Sequence, residues 1–396
     1  MQYSRMLKIS TGTSRKALSW PVSEISWAEF AEKLKTPVRS TETMEEYLKL
    51  PKSRQDDLKD VGGYVGGALS GTRRKAANVA GRDLITLDLD IIPPGHTEDV
   101  LRRVDGLACA ALVYSTRKHS VYSPRLRVVL PSDRTMTADE YEPIARKVAQ
   151  LIGMDLCDPT TFEASRLMYW GSCCKDSEYV YQVYDKPMCS ADGILAMYQS
   201  WQDVTEWPQV AGAEAHERRR LAKQEDPTTK PGIIGAFCRC YSITEAMDKF
   251  IPGMYEETEI PGRYTYTGGS TVGGAVVYDG DKFLFSHHAT DPCSGQLVNA
   301  FDLIRLHRYS DLDADSKEGT PNNKLPSFKA MEKAALEDET VSTRIASERY
   351  EKAKEAFATQ EETSADADDL DWMQKLTVDG SGNYQKTINN MILILQ

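Results

Sequence analysis

The sequence predicts an α+β chain of more than one domain, on three observations. Residues 81 to about 190 read as alternating strands and helices, residues 263–288 read as hairpins around an Asp279-Gly280 turn, and a polar stretch at 201–232 lies between them. At 396 residues the chain is long enough for two or more hydrophobic cores. No stretch approaches the roughly 20 apolar residues of a membrane span, and Met1 to Ser10 lacks the apolar core of a secretory signal, so a cytoplasmic protein without a membrane partner is expected. The eight cysteines are scattered with no repeated C-x-x-C pair, which argues against a disulfide framework. Net charge is −11, but 17 Asp/Glu against 8 Lys/Arg between Asp311 and Asp371 account for nine of those charges. The remainder is near neutral and carries basic clusters such as Arg73-Arg74-Lys75 and Arg218-Arg219-Arg220, so charge does not exclude a nucleic-acid partner.

Residues 1–80 read as a small α/β entry unit. Lys8 to Ser10 suggests a short strand, Ser26 with Glu29 forms a capping box for a helix through about Lys35, and a second helix covers Thr43 to Leu50. The glycine-rich run Gly62 to Gly67, followed by Ser70 to Lys75, reads either as a phosphate-approaching loop or as a plain flexible one. Arg82 to Ile92 is then a strand whose alternation places Leu84, Thr86, Asp88 and Asp90 on one face. Two neighbouring carboxylates repel unless a cation lies between them, and a divalent metal is the usual answer. Pro93-Pro94-Gly95 stops that strand.

A helix from Thr97 to Val104 and a strand from Leu107 to Tyr114 follow, and then Ser115-Thr116-Arg117-Lys118-His119. After a turn at Ser123-Pro124, strand alternation puts Arg125 and Arg127 on one face and Leu126, Val128 and Leu130 on the other, and guanidinium forks suit phosphate oxygens. Thr137 with Glu140 opens a helix that Gly153 closes, burying Tyr141, Ile144, Val148, Leu151 and Ile152. A third acid, Asp155 or Asp158, and another arginine, Arg166, precede a Leu167-Met168-Tyr169-Trp170 strand. Beyond the 201–232 linker, residues 233–310 read as a smaller unit with helices at Ser242 to Phe250 and Asn299 to Tyr309. Residues 311–369 read as an acidic, partly disordered linker with a helix near Ser342 to Ala358, and 370–396 as a helical tail ending on an apolar run. Cys238, Cys240, His287, His288 and Cys293 form a candidate zinc set. Adjacent histidines on a strand face opposite ways, so only one could join, and a hydrogen-bonded turn histidine is the favoured reading.

Acid, acid, histidine, paired arginines and a further acid with arginine are what nucleotidyl transfer requires. Carboxylates hold two metal ions about 4 Å apart, and cations neutralise the departing pyrophosphate. On the strand-borne Asp88-Leu89-Asp90, the Ser/Thr-rich turn leading to His119, and Asp158 ahead of Arg166, residues 1–200 resemble the archaeo-eukaryotic primase superfamily, in particular primase-polymerases of phages and integrated elements. The resemblance implies an RRM-like antiparallel sheet packed with the entry unit, and a primase-polymerase working on a single-stranded DNA template. By it Asp88, Asp90 and Asp158 would bind two Mg²⁺ or Mn²⁺ ions. His119, Arg125 and Arg127, with Ser115, Thr116, Lys118 and Arg166, would bind a nucleoside triphosphate. The family's usual Ser-x-His departs here to Arg117-Lys118-His119. Residues 233–310 are similar to an accessory segment of such proteins, and 370–396 to the start of the virulence-associated E helicase-like family. A helicase domain would then lie beyond Gln396, since no Walker motif is present. Two competing readings use the same residues, a metal-dependent nuclease and a non-catalytic DNA-binding loader of a helicase.

Overall fold

The computed structural model describes residues 5–210, 224–316 and 320–358 and, near the C-terminus, 375–380, 383–385, 387 and 389–390. Its contacts divide the chain into two units, one of Met1–Glu217, Glu256–Ala275 and Ser286–Gly295, the other of Arg218–Tyr255, Val276–Phe285 and Gln296–Gln396.

The first unit opens with β1 (Met6–Gly12), β2 (Val22–Ser26), α1 (Trp27–Lys35), β3 (Val38–Arg39), α2 (Met44–Lys49), α3 (Lys52–Lys59), β4 (Gly63–Val65) and β5 (Gly67–Leu69). Reciprocal capping boxes start both α1 (Ser26 with Glu29) and α2 (Thr43 with Glu46). Next come β6 (Val79–Leu89), α4 (Thr97–Asp105), β7 (Ala111–Ser115), β8 (Leu126–Met136), α5 (Ala138–Ile152), β9 (Met168–Tyr169), β10 (Ser172–Cys173), β11 (Tyr181–Tyr184) and α6 (Ala191–Leu195). The central sheet has the order β11-β7-β8-β6-β5 and is antiparallel throughout. A second sheet has the order β2-β1-β4-β9, and β3 pairs with β10.

Period-two alternation gives the central sheet two buried faces. Ile85, Leu87 and Leu89 of β6 and Leu126, Val128 and Leu130 of β8 join Val100 and Val104 of α4 and Tyr141, Ile144 and Val148 of α5 in one core. Leu84, Leu112, Tyr114 and Val129 face the other way and pack with Leu7, Ile9, Trp27, Phe30 and Leu34 of the entry unit. Each such aliphatic side chain contributes about 1.5–3 kcal/mol by its burial, so the last residues of β6 and the first of β8 sit on a fixed platform.

Four expectations are corrected in this unit. The glycine-rich run is no phosphate loop and no flexible loop, because Gly63 to Val65 and Gly67 to Leu69 are strands inside two sheets. A Cβ on Gly63 would lie 2.5 Å from the Met168 carbonyl oxygen, and one on Gly67 would lie 2.0 Å from that of Gly81, so the glycines are there to let backbones meet. The helix α3 was not foreseen: it is highly charged and buries only Gln55, which leaves no apolar stripe to read. Leu151 is exposed rather than buried. Finally, 201–210 is not linker, since Val204 and Trp207 are buried in a cluster with Tyr198. Residues 214–223, with the basic cluster Arg218-Arg219-Arg220, lie outside the described residues.

The second unit contains α7 (Gly232–Cys240) and α8 (Ile243–Phe250). Five short strands follow in the chain, β12 (Tyr255–Glu257), β13 (Arg263–Tyr266), β14 (Ala275–Tyr278), β15 (Phe283–Ser286) and β16 (Leu297–Val298), then α9 (Ala300–Tyr309), α10 (Pro326–Glu337) and α11 (Glu339–Ala358). The Asp279-Gly280 turn expected between strands is present, with φ of 52° and 63° as a type I′ turn requires. Phe237 centres this unit, its ring 5.3 Å from that of Tyr241, 5.4 Å from Phe250 and 5.9 Å from Phe301. The expected acidic linker is mostly helix. α10 begins on Pro326 and buries Met331 and Ala335, while Glu348 of α11 accepts from Nε of Arg239 at 2.6 Å. Of the expected helical tail only fragments are described, and there Val378 and Tyr384 form an antiparallel bridge rather than a helix.

No helix among the described residues is long and apolar enough to cross a membrane.

Candidate nucleotidyl-transfer site

Asp88 is the penultimate residue of β6 and stands directly opposite Arg127 of β8 in the antiparallel register. Cross-strand neighbours have Cβ atoms about 5 Å apart, and the two side chains close a bidentate pair. Arg127 Nε donates to Oδ1 at 2.6 Å and Nη2 to Oδ2 at 3.1 Å. Its Nη1 donates to the Tyr169 carbonyl at 2.7 Å and to the Tyr114 hydroxyl at 3.1 Å. Arg127 is buried, and the Asp88 carboxylate beside it holds its pKa well above the ordinary arginine value against the opposing effect of desolvation. The phosphate contact expected of Arg127 is therefore taken up by Asp88 and Tyr169, because the strand register delivers the arginine to the acid. Its role here is to hold Asp88 in place.

Asp90 lies just past the strand, half-buried, and accepts from Arg125 Nη1 at 2.7 Å. Burial raises the Asp90 pKa, Asp88 and Asp158 raise it further, and Arg125 opposes them. The third carboxylate reaches this cluster through the backbone. Ile91 N–H donates to the Leu156 carbonyl, Leu89 bridges Cys157, and Asp158 N–H donates to the Asp88 carbonyl at 2.9 Å. Thr161, fully buried, accepts from Asp88 N–H at 2.9 Å and donates to the Thr86 carbonyl at 3.0 Å. Asp158 Oδ1 caps the turn at Thr160 N, and its Oδ2 lies 3.6 Å from Arg166 Nη2. Arg82, buried under the sheet, donates to the Ala164 carbonyl at 2.6 Å and stacks 4.0 Å from the Tyr141 ring, which ties the 159–166 segment to β6. Of the two acids left open by the sequence, Asp158 is the one whose field reaches Asp90.

Each of the three acids thus has an arginine of its own: Asp88 with Arg127, Asp90 with Arg125, Asp158 with Arg166. His119 is buried beside Arg125, its Nδ1 accepting from the Arg125 backbone N–H at 3.1 Å, which leaves the neutral-ring proton on Nε2. Desolvation lowers its pKa.

The other residues of the turn divide. Ser115 is buried and its hydroxyl accepts from Val180 N–H at 3.0 Å at the sheet edge, so it faces a strand partner. Thr116 uses its backbone, accepting from His119 N–H and donating to the Arg125 carbonyl. Lys118 is half-buried, its pKa lowered by burial and then by the like charges of Lys52 and Arg125. Arg117, at the departing motif position, donates to Ser40 Oγ at 2.6 Å, pairs with Glu42 and stacks 4.6 Å from the Tyr47 ring, binding the entry unit to the turn. Sequence reasoning missed Lys59, whose ammonium lies 4.8 Å from the Tyr169 ring and whose pKa is lowered by desolvation and by Arg127. It also missed Thr161 and Tyr114, because no spacing rule links them to Asp88.

Of the candidate zinc set, His288 has both ring nitrogens engaged, Nδ1 with the Thr271 hydroxyl at 2.5 Å and Nε2 accepting from Tyr266 N–H at 3.1 Å. It is the hydrogen-bonded turn histidine. Burial, with Arg146 and Arg263 nearby, lowers His287 to about 3, and its Nδ1 lies 3.9 Å from Glu142 Oε1. Cys238 is buried in α7 with its thiol pushed up to about 11. Because His119, His287 and His288 are all lowered from 6.5, below that pH the unfolded chain takes up protons that the folded chain refuses. Stability should fall as pH drops below 6.5, for His287 on toward 3, by up to about 1.4 kcal/mol per pH unit for each histidine that stays neutral in the folded chain. Urea unfolding across that range checks this, and His287→Asn should flatten the slope.

Three carboxylates with oxygen donors suit a hard divalent cation such as Mg²⁺ or Mn²⁺. Each Asp88 oxygen accepts one bond from Arg127 and keeps a second lone pair, and Asp90 would have to release Arg125. By the chemistry of its donors the set suits such an ion, although in this structure the three carboxylates do not converge on one point.

With this geometry in hand, comparison with known proteins gives a family. The family described as the VapE N-terminal domain matches residues 1–210, more than half of the chain, and the chain belongs to it. Among solved structures, the AEP domain (PP-N190) of the cyanophage S-2L primase-polymerase (PrimPol) is similar at 12% identity and a TM-score of 0.29, over 48% of this chain and 88% of that one. No curated protein matches the chain.

Proposed function

We propose that this VapE-type N-terminal domain is a template-dependent primase-polymerase of a phage or mobile element, making or extending primers on single-stranded DNA by two-metal nucleotidyl transfer. The carrying observation is the set of three acids at one end of the central sheet, each matched to its own arginine. The antiparallel sheet with α4 and α5 on one face is read as the RRM-like catalytic core.

When bound, Mg²⁺ or Mn²⁺ would supply Lewis-acid activation of the attacking hydroxyl and the phosphates. Asp88, Asp90 and Asp158 would hold the ions. Arg127 keeps Asp88 oriented in both states, since it donates four hydrogen bonds, two to Asp88 and two to Tyr114 and Tyr169. Arg125, half-exposed and held by one acid, leaves Asp90 for the triphosphate, aided by His119 Nε2–H, Lys118 and Arg166. A preorganised set of donors is what stabilises developing phosphate charge. We place the protein in the bacterial host cytoplasm, working with a helicase domain or subunit.

Incubating the full chain with single-stranded DNA, nucleoside triphosphates and Mg²⁺ or Mn²⁺ tests this reading. Labelled product that requires template, nucleotide and metal together is expected. Degradation of labelled DNA without nucleotide, unaffected by Arg125→Ala, would instead mark a nuclease. Salt-sensitive DNA binding with neither activity would mark a helicase-loading module.

A further inference from the structure

The turn between His119 and Arg125 carries side chains that the reaction does not use. Ser120 and Ser123 exchange two backbone hydrogen bonds of 3.2 Å each, and Ser120 Oγ accepts from Ser123 N–H at 3.1 Å. That closes a two-residue hairpin with Val121 and Tyr122 at its tip. The hairpin is anchored at both sides: Thr116 N–H donates to the Arg125 carbonyl at 3.0 Å, and Gly95 N–H donates to the Val121 carbonyl at 3.1 Å. Tyr122 is 85% exposed and Val121 55%, while Ile91, directly after Asp90, is 58% exposed. A rigid tip holding an almost bare tyrosine in water forgoes the burial that aromatic rings ordinarily gain.

The surroundings decide the partner. Lys118 and Arg125 stand on either side of the tip in the chain, and although Arg125 pairs with Asp90 and Lys52 with Asp56, every acid here is matched by a cation and Lys118 adds one more. Such a basic rim favours an anionic chain. One aromatic face between cations is too small for a stable protein interface, which needs about 800 Å² per partner, but it is the unit on which single-stranded nucleic acid stacks a base.

We infer that Tyr122, with Val121 beside it at the tip, is a stacking platform that receives an unpaired base of single-stranded DNA at the lip of the candidate site. The inference rests on the proposed nucleotidyl-transfer reading and adds to it the residue that holds the strand. Stacking on one aromatic accounts for the binding, with no sequence readout, because every base has a π face.

The test is fluorescence anisotropy of labelled oligothymidylate with the full chain, without metal or nucleotide. Tyr122→Ala should weaken binding about tenfold, while Tyr122→Trp should bind as wild type does. An oligomer made abasic at its central positions should bind wild type as weakly as oligothymidylate binds Tyr122→Ala, and that variant should lose nothing further on it. Tyr122 is nearly bare, so its replacement leaves the fold intact. Unchanged affinity of Tyr122→Ala, an equal loss on abasic and thymidine oligomers, or absence of binding by wild type would overturn the inference. Stacking without Mn²⁺ or nucleotide binding would remove the nucleotidyl-transfer reading and leave the platform standing. The reverse pattern would remove the platform alone.

Discussion

Replacing Asp88 and Asp90 together by asparagine is expected to lower nucleotide incorporation by at least about a thousandfold, the several kcal/mol that metal-held charge stabilisation supplies. Asparagine keeps the size and a carbonyl acceptor, but it removes the charge that would hold a divalent ion. Radiolabelled extension on single-stranded DNA measures the effect. Arg125→Ala should act differently. It frees Asp90 from its 2.7 Å partner and leaves a carboxylate at the rim with its metal-binding oxygens uncovered. Nucleotide affinity should drop about tenfold for the lost charged contact, while binding of the ion alone should tighten.

The second large effect concerns stability, and it separates the two acids. Asp88→Ala strands Arg127, a buried guanidinium whose Nε and Nη2 would lose their acceptors. Breaking a buried pair from one side costs about 3–5 kcal/mol. Asp90 behaves in the opposite sense. Its pKa is raised by burial and by Asp88 and Asp158, so its charged form is disfavoured in the folded chain at pH 7 and Asp90→Asn should leave stability unchanged or slightly higher. Urea unfolding at pH 7 compares the two, and equal destabilisation would contradict the electrostatic account.

Local chemistry was legible in the sequence. The capping boxes at Ser26/Glu29 and Thr137/Glu140 and the Asp279-Gly280 turn depend on residues within three positions of one another, and each forms as read. So does the alternation that sends Leu126, Val128 and Leu130 to the core and Asp88 and Arg127 elsewhere. What could not be read was pairing across long separations. Gly63 and Gly67 read as loop because glycine signals freedom, whereas here it signals contact with the backbones at Met168 and Gly81. Arg127 read as a free phosphate ligand because nothing local shows that the register puts it opposite Asp88. α10 was hidden by an acidic composition that resembles a linker, although Met331 and Ala335 are buried.

The belonging of the chain to the VapE N-terminal domain family accounts for residues 1–210, and the acids, arginines and His119 all fall within that span. The most direct measurement of the central claim is Mn²⁺ binding by electron paramagnetic resonance, with and without a non-hydrolysable nucleoside triphosphate. The account predicts that wild type binds Mn²⁺, that nucleotide tightens the binding by drawing Arg125 from Asp90, and that Asp88→Asn with Asp90→Asn abolishes it. Mn²⁺ bound equally by wild type and the double variant, or by neither in the presence of nucleotide, would contradict it.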